Sequence, residues 1–521
     1  MTFEHRKLLE KQLWAIADLL RGKMNADEYK NYILGFIFYK YLSERLVNFV
    51  NHKLLNKEDY KFDHANDSQT DVLTAIEDQC KDHLGYFLKP TQIFSYLVKK
   101  GKGEIAGVDK FILEDLKNVF NNIEQTSMGT DSEDDFKGLF SDVELNSSKL
   151  GREENKKNEV IVDVLSALFE IDFELDDAKS DILGDAYEYL IGEFAAGAGK
   201  KGGEFYTPAQ VSRLLSKIVT KDKQKVRSVY DPACGSGSLL LRIKDYVEVS
   251  DYYGQELNQT TYNLARMNMI LHGIRFDKFN IKQGDTLVDD MHPDLQAEVV
   301  IANPPFSAKW KGENDIQLKH DERFLQYGRL APKDKADFAF VTHMLYHLAD
   351  NGNMAVVLPH GVLFRGGAEG QIRKYIIEKQ NYLDAVIGLP SNLFYGTSIP
   401  ACVLVFKKCR DNDDILFIDA SKEFEKGKNQ NNLTDENIEK IFNTYKERLE
   451  IDKYSHKANL NEIKENDFNL NIPRYVDTFE PEPEIDIEMV AGEIKNLSNE
   501  EIKLQKEIAK FCEELKIDKP F

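Results

Sequence analysis

The chain is poor in cysteine: five residues in 521 (Cys80, Cys234, Cys402, Cys409 and Cys512), none in a C-x-x-C pair. That spacing argues against a thiolate zinc site or a disulfide scaffold and suits a reducing compartment. The first residues, MTFEHRKLLEKQ, lack the apolar core of a signal peptide, and no uninterrupted apolar run approaches the ~20 residues of a membrane span. These absences predict a soluble cytoplasmic protein with no membrane contact. Positive charge is also in deficit, with 68 Lys and Arg against 89 Asp and Glu, a formal net charge of −21. Cationic contacts to phosphate supply most non-specific affinity for nucleic acid. A chain this acidic therefore needs a local basic surface or a partner to bind DNA or RNA. Its 42% of apolar residues suffices for a large core, and its length predicts two to four domains at about 100–200 residues each.

The first part reads as helical. In KLLEKQLWAIADLLRG, Leu9, Leu13, Ile16 and Leu20 recur at helical spacing, with Gly22 as a stop, and DEYKNYILGFIFYKYLSERL forms a second, more apolar helix. The polar stretches NNIEQTSMGTDSEDDF and NSSKLGREENKKNE read as loops, placing a boundary near residue 155. From about 180 to 410, short β-branched runs (VRSVY, DYYGQ, FNIKQG, AEVVIAN, NMAVVLP, LDAVIGLP and ACVLVFKK) alternate with helical stretches. This pattern predicts a doubly wound α/β sheet that binds its ligand beyond the carboxyl ends of the strands. The last two runs are joined by SNLFYGTSIP, too short for a helical crossover, which predicts an antiparallel hairpin at one edge. After Lys408 the chain turns charged and Asn-rich, and FEPEPEIDIE reads as an acidic linker. In the tail, Val490, Leu497, Leu504 and Phe511 repeat every seven residues, with Ile494, Ile508 and Leu515 in the alternate seam and Glu501 interrupting it. Ser498 and Glu501 fit a capping box at which the helix would restart. Such a helix packs either on a partner or back on its own protein.

Three strand ends carry groups suited to a nucleoside ligand. In SVYDPACGSGSLLLRI a strand ends in Asp231, and the turn Gly235-Ser236-Gly237-Ser238 opens a helix. The third glycine of a dinucleotide fingerprint and the Lys-Ser/Thr of a phosphate loop are both absent. Glu256, 21 residues beyond Gly235, ends the next strand where an acid accepts from ribose hydroxyls. Asp285 ends the third and is suited to an adenine amino group. Upstream, GKKGGEFYTPAQVSRLL reads either as a linker before a helix capped by Thr207, with Pro208 in its first turn, or as a cover over a cofactor carboxylate.

AEVVIANPPFSAKW ends the fourth run at Asn303-Pro304-Pro305-Phe306. The prolines terminate the ladder and hold the backbone extended. The Asn303 side-chain carbonyl and the Pro304 backbone carbonyl can then accept both hydrogens of one amino group, favouring a tetrahedral nitrogen with its lone pair free to attack. Phe306 offers a face to a flat base, an interaction worth about 1–3 kcal/mol. Cys234 reads as a small buried residue.

D-P-A-C-G-S-G, F-Y-T-P and N-P-P-F resemble the motifs of the amino-methyltransferases of DNA that use S-adenosylmethionine. The likeness is closest to the modification (M) subunit of type I restriction–modification systems, HsdM, and extends to YILGFIFYKYLSERL, DERFLQYGRLAPKDKADFAFVTHMLYHL and NLFYGTSIPACVLVFKK. It implies a Rossmann-like methyltransferase sheet with a helical domain before it (1–155), a catalytic domain (156–475), and a linker with an amphipathic helix (476–521). It further implies that Glu204, Phe205, Tyr206, Thr207, Pro208, Ala209, Asp231, Gly235, Ser236, Gly237, Ser238, Glu256 and, less securely, Asp285 bind S-adenosylmethionine. Asn303, Pro304, Pro305 and Phe306 would orient a flipped-out adenine for methylation at N6, with Phe394 or Tyr395 as the opposing aromatic wall. The region beyond the sheet is short and acidic, which points to another chain for sequence reading of double-stranded DNA; the resemblance implies that this is a specificity (S) subunit, usually bound by two M subunits, with a restriction (R) subunit joining for cleavage.

Other signals are weaker. His343 and His347 are four apart but lack the Glu of H-E-x-x-H, so no metal is assigned. SAKWKGENDIQLK, with Lys309, Trp310, Lys311 and Lys319, is either a DNA-facing or a solvated loop. Methylation of cytosine N4, RNA or a protein glutamine shares the N-P-P-aromatic corner without predicting the flanking helices. A non-catalytic assembly subunit would not need Asn303 and Phe306.

Overall fold

The computed structural model describes residues 3–21, 24–55, 61–64, 67–68, 70–173, 182–197, 207–312, 315–394, 397–428, 430–478 and 486–521. The sequence-predicted Glu204, Phe205, Tyr206 and Tyr395 lie outside them. Two compact units are present, Met1–Val476 and Asp477–Phe521.

In the first unit, helices at Phe3–Leu20 and Ala26–Phe49 form where the periodicity places them. Leu9, Leu13, Ile16 and Leu20 are buried, as are Ile33, Phe36, Ile37 and Tyr39. Part of the stretch read as loop is helical: Leu113–Ser127 includes NNIEQTS, and Glu154–Phe169 includes ENKKNE. Its polar composition hides a stripe, since Leu116, Val119, Phe120 and Ile123 face inward. Buried polar contacts tie this helical layer to helix Gln259–Leu271 of the catalytic region. The Arg266 guanidinium donates to the Asp134 and Lys137 carbonyls at 2.7 and 2.9 Å, and Tyr41 Oη donates to the Ile270 carbonyl at 3.0 Å.

The nine-stranded sheet comprises β1 (Lys225–Asp231), β2 (Glu248–Glu256), β3 (Phe279–Gln283), β4 (Ala297–Ala302), β5 (Leu348–Pro359), β6 (Leu383–Gly388), β7 (Ala401–Lys407), β8 (Ile415–Asp419) and β9 (Ser455–Ala458), ordered β9-β8-β6-β7-β5-β4-β1-β2-β3. Strands β3, β2, β1, β4 and β5 run parallel, so their carboxyl ends share one edge. Alternate side chains feed two cores. In β4, Val299 and Ile301 join one, and Val300 and Ala302 the other, which is why the run is apolar throughout.

The β6–β7 pair is antiparallel as expected, but it is not at an edge. β7 lies between β5 and β6, pairing Leu404 with Val356 and with Val386. Two strands absent from the sequence reading extend the sheet beyond it: β8 parallel to β6, and β9 antiparallel to β8. Helix Asp435–Glu447 covers this extension. Its anchor is Asp384 on β6, 3% exposed, which accepts from Tyr445 Oη at 2.8 Å and pairs with Arg448 at 2.8 Å and Lys407 at 3.0 Å. Burial alone would raise its pKa, but these cations hold it below the usual carboxylate range.

The second unit contains one uninterrupted helix, Ile487–Leu515, with Asp486 as N-cap. No restart occurs at Ser498, because Glu501 on an exposed seam stays solvated and costs the helix little. Val490, Ile494, Leu497, Leu504, Ile508, Phe511 and Leu515 are all exposed. Among the described residues, no helix is long and apolar enough to cross a membrane.

Asp384→Ala leaves Lys407, Arg410 and Arg448 without their buried partner and is expected to destabilise the protein by about 3–5 kcal/mol. Thermal denaturation checks this, and an unchanged melting temperature would contradict the anchoring role.

Candidate active site

The chain leaves β1 for β2 and β3 on one side and returns to β4 on the other, opening a crevice between the ends of β1 and β4. A cleft of about 580 Å³ occupies this position. Its walls include Asp231, Gly235, Ser236, Ser238, Glu256, Asp285, Asn303 and Pro305, so the three strand-end acids and the N-P-P corner converge.

The glycine turn earns its residues by conformation. Gly235 and Gly237 have φ of +56° and +77°, a region costly to other residues. A Cβ on Gly237 would also meet Met269 Cε at 3.2 Å. Gly235 N–H donates to Glu256 Oε2 at 3.0 Å and Asn258 N–H to Oε1 at 2.8 Å, which orients the carboxylate and leaves lone pairs free for a diol. Asp285 lies two residues beyond the end of β3. Its loop is held by Thr286 Oγ1 donating to the Pro232 carbonyl at 2.6 Å and by Arg323 donating to the Thr286 carbonyl at 2.7 Å.

Burial pushes Asp231 up to about 8 despite the Ala233 N–H it accepts, with the Glu256 charge adding to the effect. Burial raises Glu256 too. Two carboxyls sharing one dry pocket favour a ligand with positive charge. Cys234 is no nucleophile, since burial raises its thiol well above the ordinary range.

At the opposite wall β4 stops at Ala302. Thr207 is not the N-cap of the following helix, Ala209–Val219. Pro208 takes that position, its carbonyl accepting from Val211 and Ser212. The Thr207 hydroxyl instead accepts from Asn303 Nδ2 at 3.1 Å. This fixes the amide, and Asn303 Oδ1 is buried with no hydrogen-bond partner among the described residues. A carbonyl oxygen left this way carries a desolvation penalty that a donor in the cleft would remove.

Phe306 and Phe394 do not face each other across a slot. Phe394, 5% exposed, packs edge-on against Phe306 with centroids 5.6 Å apart at 65°. Rings flanking a base would stand parallel, two stacking distances of about 3.5 Å apart. Pro304 and Phe306 do not line the cleft itself, whereas Leu257, Asn258, Gln259, Gln283, Thr286 and Phe340, missed in the sequence, do. Asn258 was the most accessible of these, as the polar residue between a strand-end acid and a helix start.

Asp290, His343 and His347 bring ligand-type atoms within 4.8 Å of one another. The imidazoles are already committed. Arg323 donates to His343 Nδ1 at 3.0 Å, so His343 Nε2–H donates to Tyr230 Oη at 2.9 Å. His347 bonds the Leu295 carbonyl and Asp290, both at 2.9 Å. Burial, with the neighbouring His347 and Arg323, keeps His343 neutral. The cluster braces β1 against helix Asp337–His347.

The family model for N-6 DNA Methylase matches residues 178–484, and that for the HsdM N-terminal domain matches 9–168. The chain belongs to the N-6 DNA methylase family. It is 39% identical to the type I restriction enzyme MpnII methylase subunit of Mycoplasma pneumoniae, over 99% of this chain and 97% of that one. It is 32% identical to the MjaVII methylase subunit of Methanocaldococcus jannaschii, over 95% and 82%. The crystal structure of a type I restriction–modification methyltransferase subunit from Streptococcus thermophilus superposes with a TM-score of 0.81 at 45% identity, over 90% of this chain and 99% of that one. This methylase is thus a type I modification subunit, an adenine-specific DNA methyltransferase.

The raised Asp231 predicts a pH effect. Its folded form retains a proton that the unfolded chain releases near 4, so it costs stability increasingly between about pH 4 and 8. Asp231→Asn is expected to raise the ligand-free melting temperature more at pH 8 than at pH 6. Equal shifts at the two pH values would refute the assignment.

Proposed function

We propose that this chain transfers the methyl group of S-adenosylmethionine to N6 of an adenine extruded from double-stranded DNA, at sites chosen by a separate specificity subunit. The observation that carries the reading is the buried, partnerless Asn303 Oδ1 at the wall of an acid-flanked cleft. Beside it, the Pro304 carbonyl accepts no hydrogen bond from the described residues. Acceptors on two consecutive residues, Asn303 and Pro304, suit the two hydrogens of an amino group.

The cofactor residues follow from the same cleft. Glu256 accepts from ribose hydroxyls and Asp285 from the adenine amine of the cofactor. The turn from Gly235 to Ser238 and the segment from Glu204 to Ala209 hold its methionine end. Asp231 ionises against the cationic end. Leu257, 64% exposed on the cleft wall, offers an apolar surface to a purine. When bound, the sulfonium supplies an electrophilic methyl with a good leaving group. The chain's task is then positioning in line and exclusion of water. Asn303 and Pro304 hold the target amine, Phe306 stacks on its ring, and Phe394 buttresses Phe306 from behind. Extrusion of the base costs a few kcal/mol, met by these contacts.

With a net charge of −21, binding to DNA depends on partners. In this reading residues 1–155 and the helix of 476–521 contact the other subunits, with 156–475 as the catalytic domain. Two copies join one specificity subunit, and a restriction subunit completes the assembly. The exposed seam of the 29-residue terminal helix, ~43 Å long at 1.5 Å per residue, suits a helical partner.

Incubation with methyl-labelled S-adenosylmethionine and genomic DNA, with and without the specificity subunit, tests the reading. Label is expected on adenine N6 and only with the partner; label on cytosine, RNA or protein would overturn it. Asn303→Ala is expected to lower transfer by two orders of magnitude or more, on the scale of about 10²–10³ for loss of a group acting in the transition state. Its affinity for S-adenosylhomocysteine should stay unchanged, and loss of that affinity would contradict the role given to Asn303.

A further inference from the structure

Ser307, directly after Phe306, has a φ of +51°, in the left-handed region that favours glycine. Its neighbours over-determine this conformation. Ser307 N–H donates to Asp337 Oδ1 at 2.8 Å and its hydroxyl to Oδ2 at 3.1 Å. Asp337 is 1% exposed and starts the helix Asp337–His347. Arg365 donates to the same Oδ2 at 3.1 Å and to Glu369 at 3.2 Å, which fixes the carboxylate from behind. One residue on, Ala336 N–H donates to the Ala308 carbonyl at 2.9 Å. The same helix sends Phe340 into the wall of the cofactor cleft, and His343 binds Tyr230 on β1. A single rigid element thus registers both the sheet and the backbone leaving the N-P-P-F corner.

We propose that Asp337 is a positioning residue for methyl transfer: by clamping Ser307 in the left-handed conformation it sets the direction of Phe306 and of the Pro304–Pro305 backbone towards the target base. The inference rests on the adenine-methylation reading above. A carboxylate that merely filled a helix start or completed an ion pair would not depend on the torsion of Ser307, and this difference makes the role testable.

In the complex with the specificity subunit, Asp337→Ala is expected to lower kcat for adenine methylation on the order of 10- to 100-fold, the scale of a misplaced reacting group. Affinity for S-adenosylhomocysteine should not change. Asp337→Asn keeps an oxygen for Ser307 N–H while disturbing Arg365, and should lose less. Adding Ser307→Gly to Asp337→Ala should recover much of the rate, because glycine adopts a positive φ without the clamp. Ser307→Val strains the same torsion while leaving Asp337 in the core, so the comparison stands even where Asp337→Ala fails to fold. Asp337→Asn falling as far as Asp337→Ala, or Ser307→Val matching Ser307→Gly in rate, would overturn the proposal. A crystal structure of Asp337→Ala gives a readout independent of DNA: Ser307 should leave the left-handed region, and Ser307 remaining there would end the proposal. Wild-type complex that leaves adenine unlabelled would refute the functional reading, and that crystal structure would still decide the clamp.

Discussion

The site depends on one hydrogen bond that uses up the wrong end of an amide. Thr207 takes the Asn303 nitrogen, so the amide oxygen remains buried and without a donor. A folded chain normally satisfies such an atom, and leaving it vacant costs on the order of 1–3 kcal/mol. That cost becomes selectivity. Only a ligand presenting hydrogens at that point removes it, and a ring carrying a carbonyl there would add a second repulsive oxygen. The parallel sheet, the paired prolines and the helix before β1 all serve to keep this oxygen still.

The acids on the facing wall follow the same logic. Asp231 and Glu256 sit close together in a dry crevice where both are disfavoured as anions. Asp231 therefore keeps its proton up to about pH 8, and a cation beside it would favour its ionised form. Strain stored in a ligand-free site is returned on binding, which gives affinity without a large contact area.

Much of the fold was legible because its signals are local. Seven apolar runs in the catalytic region became strands at the positions read, and the first two helices followed their periodicity. The misses share a cause. β8 is five residues flanked by Asp411, Asp413 and Asp414, and β9, SHKA, is a polar edge strand whose exposed groups suit an unpaired border. Composition therefore masked both, and with them the interior position of the hairpin. In the site, the convergence of Asp231, Glu256, Asp285 and Asn303 could be inferred from strand ends alone. What could not be read were pairings across long separations: Thr207 with Asn303, Ser307 with Asp337, and Phe394 with Phe306. Threonine, serine and aspartate carry no marker of such a role, and only the fold decides which of them meet.

The interior position of the hairpin has a consequence for how this enzyme can vary. Residues 389–394 leave the sheet and 397–400 re-enter it between strands bordered on both sides, and the neck is closed by Leu389 N–H donating to the Ala401 carbonyl at 2.9 Å. Ala420 N–H donates to the Gly388 carbonyl at 2.9 Å and secures the same root from β8. An excursion with so firm a base can lengthen, shorten or change composition without disturbing the strands beneath it. Variation can therefore accumulate at the exposed positions of this segment, while the buried Leu393 and Phe394, the latter edge-on against Phe306, are held in place.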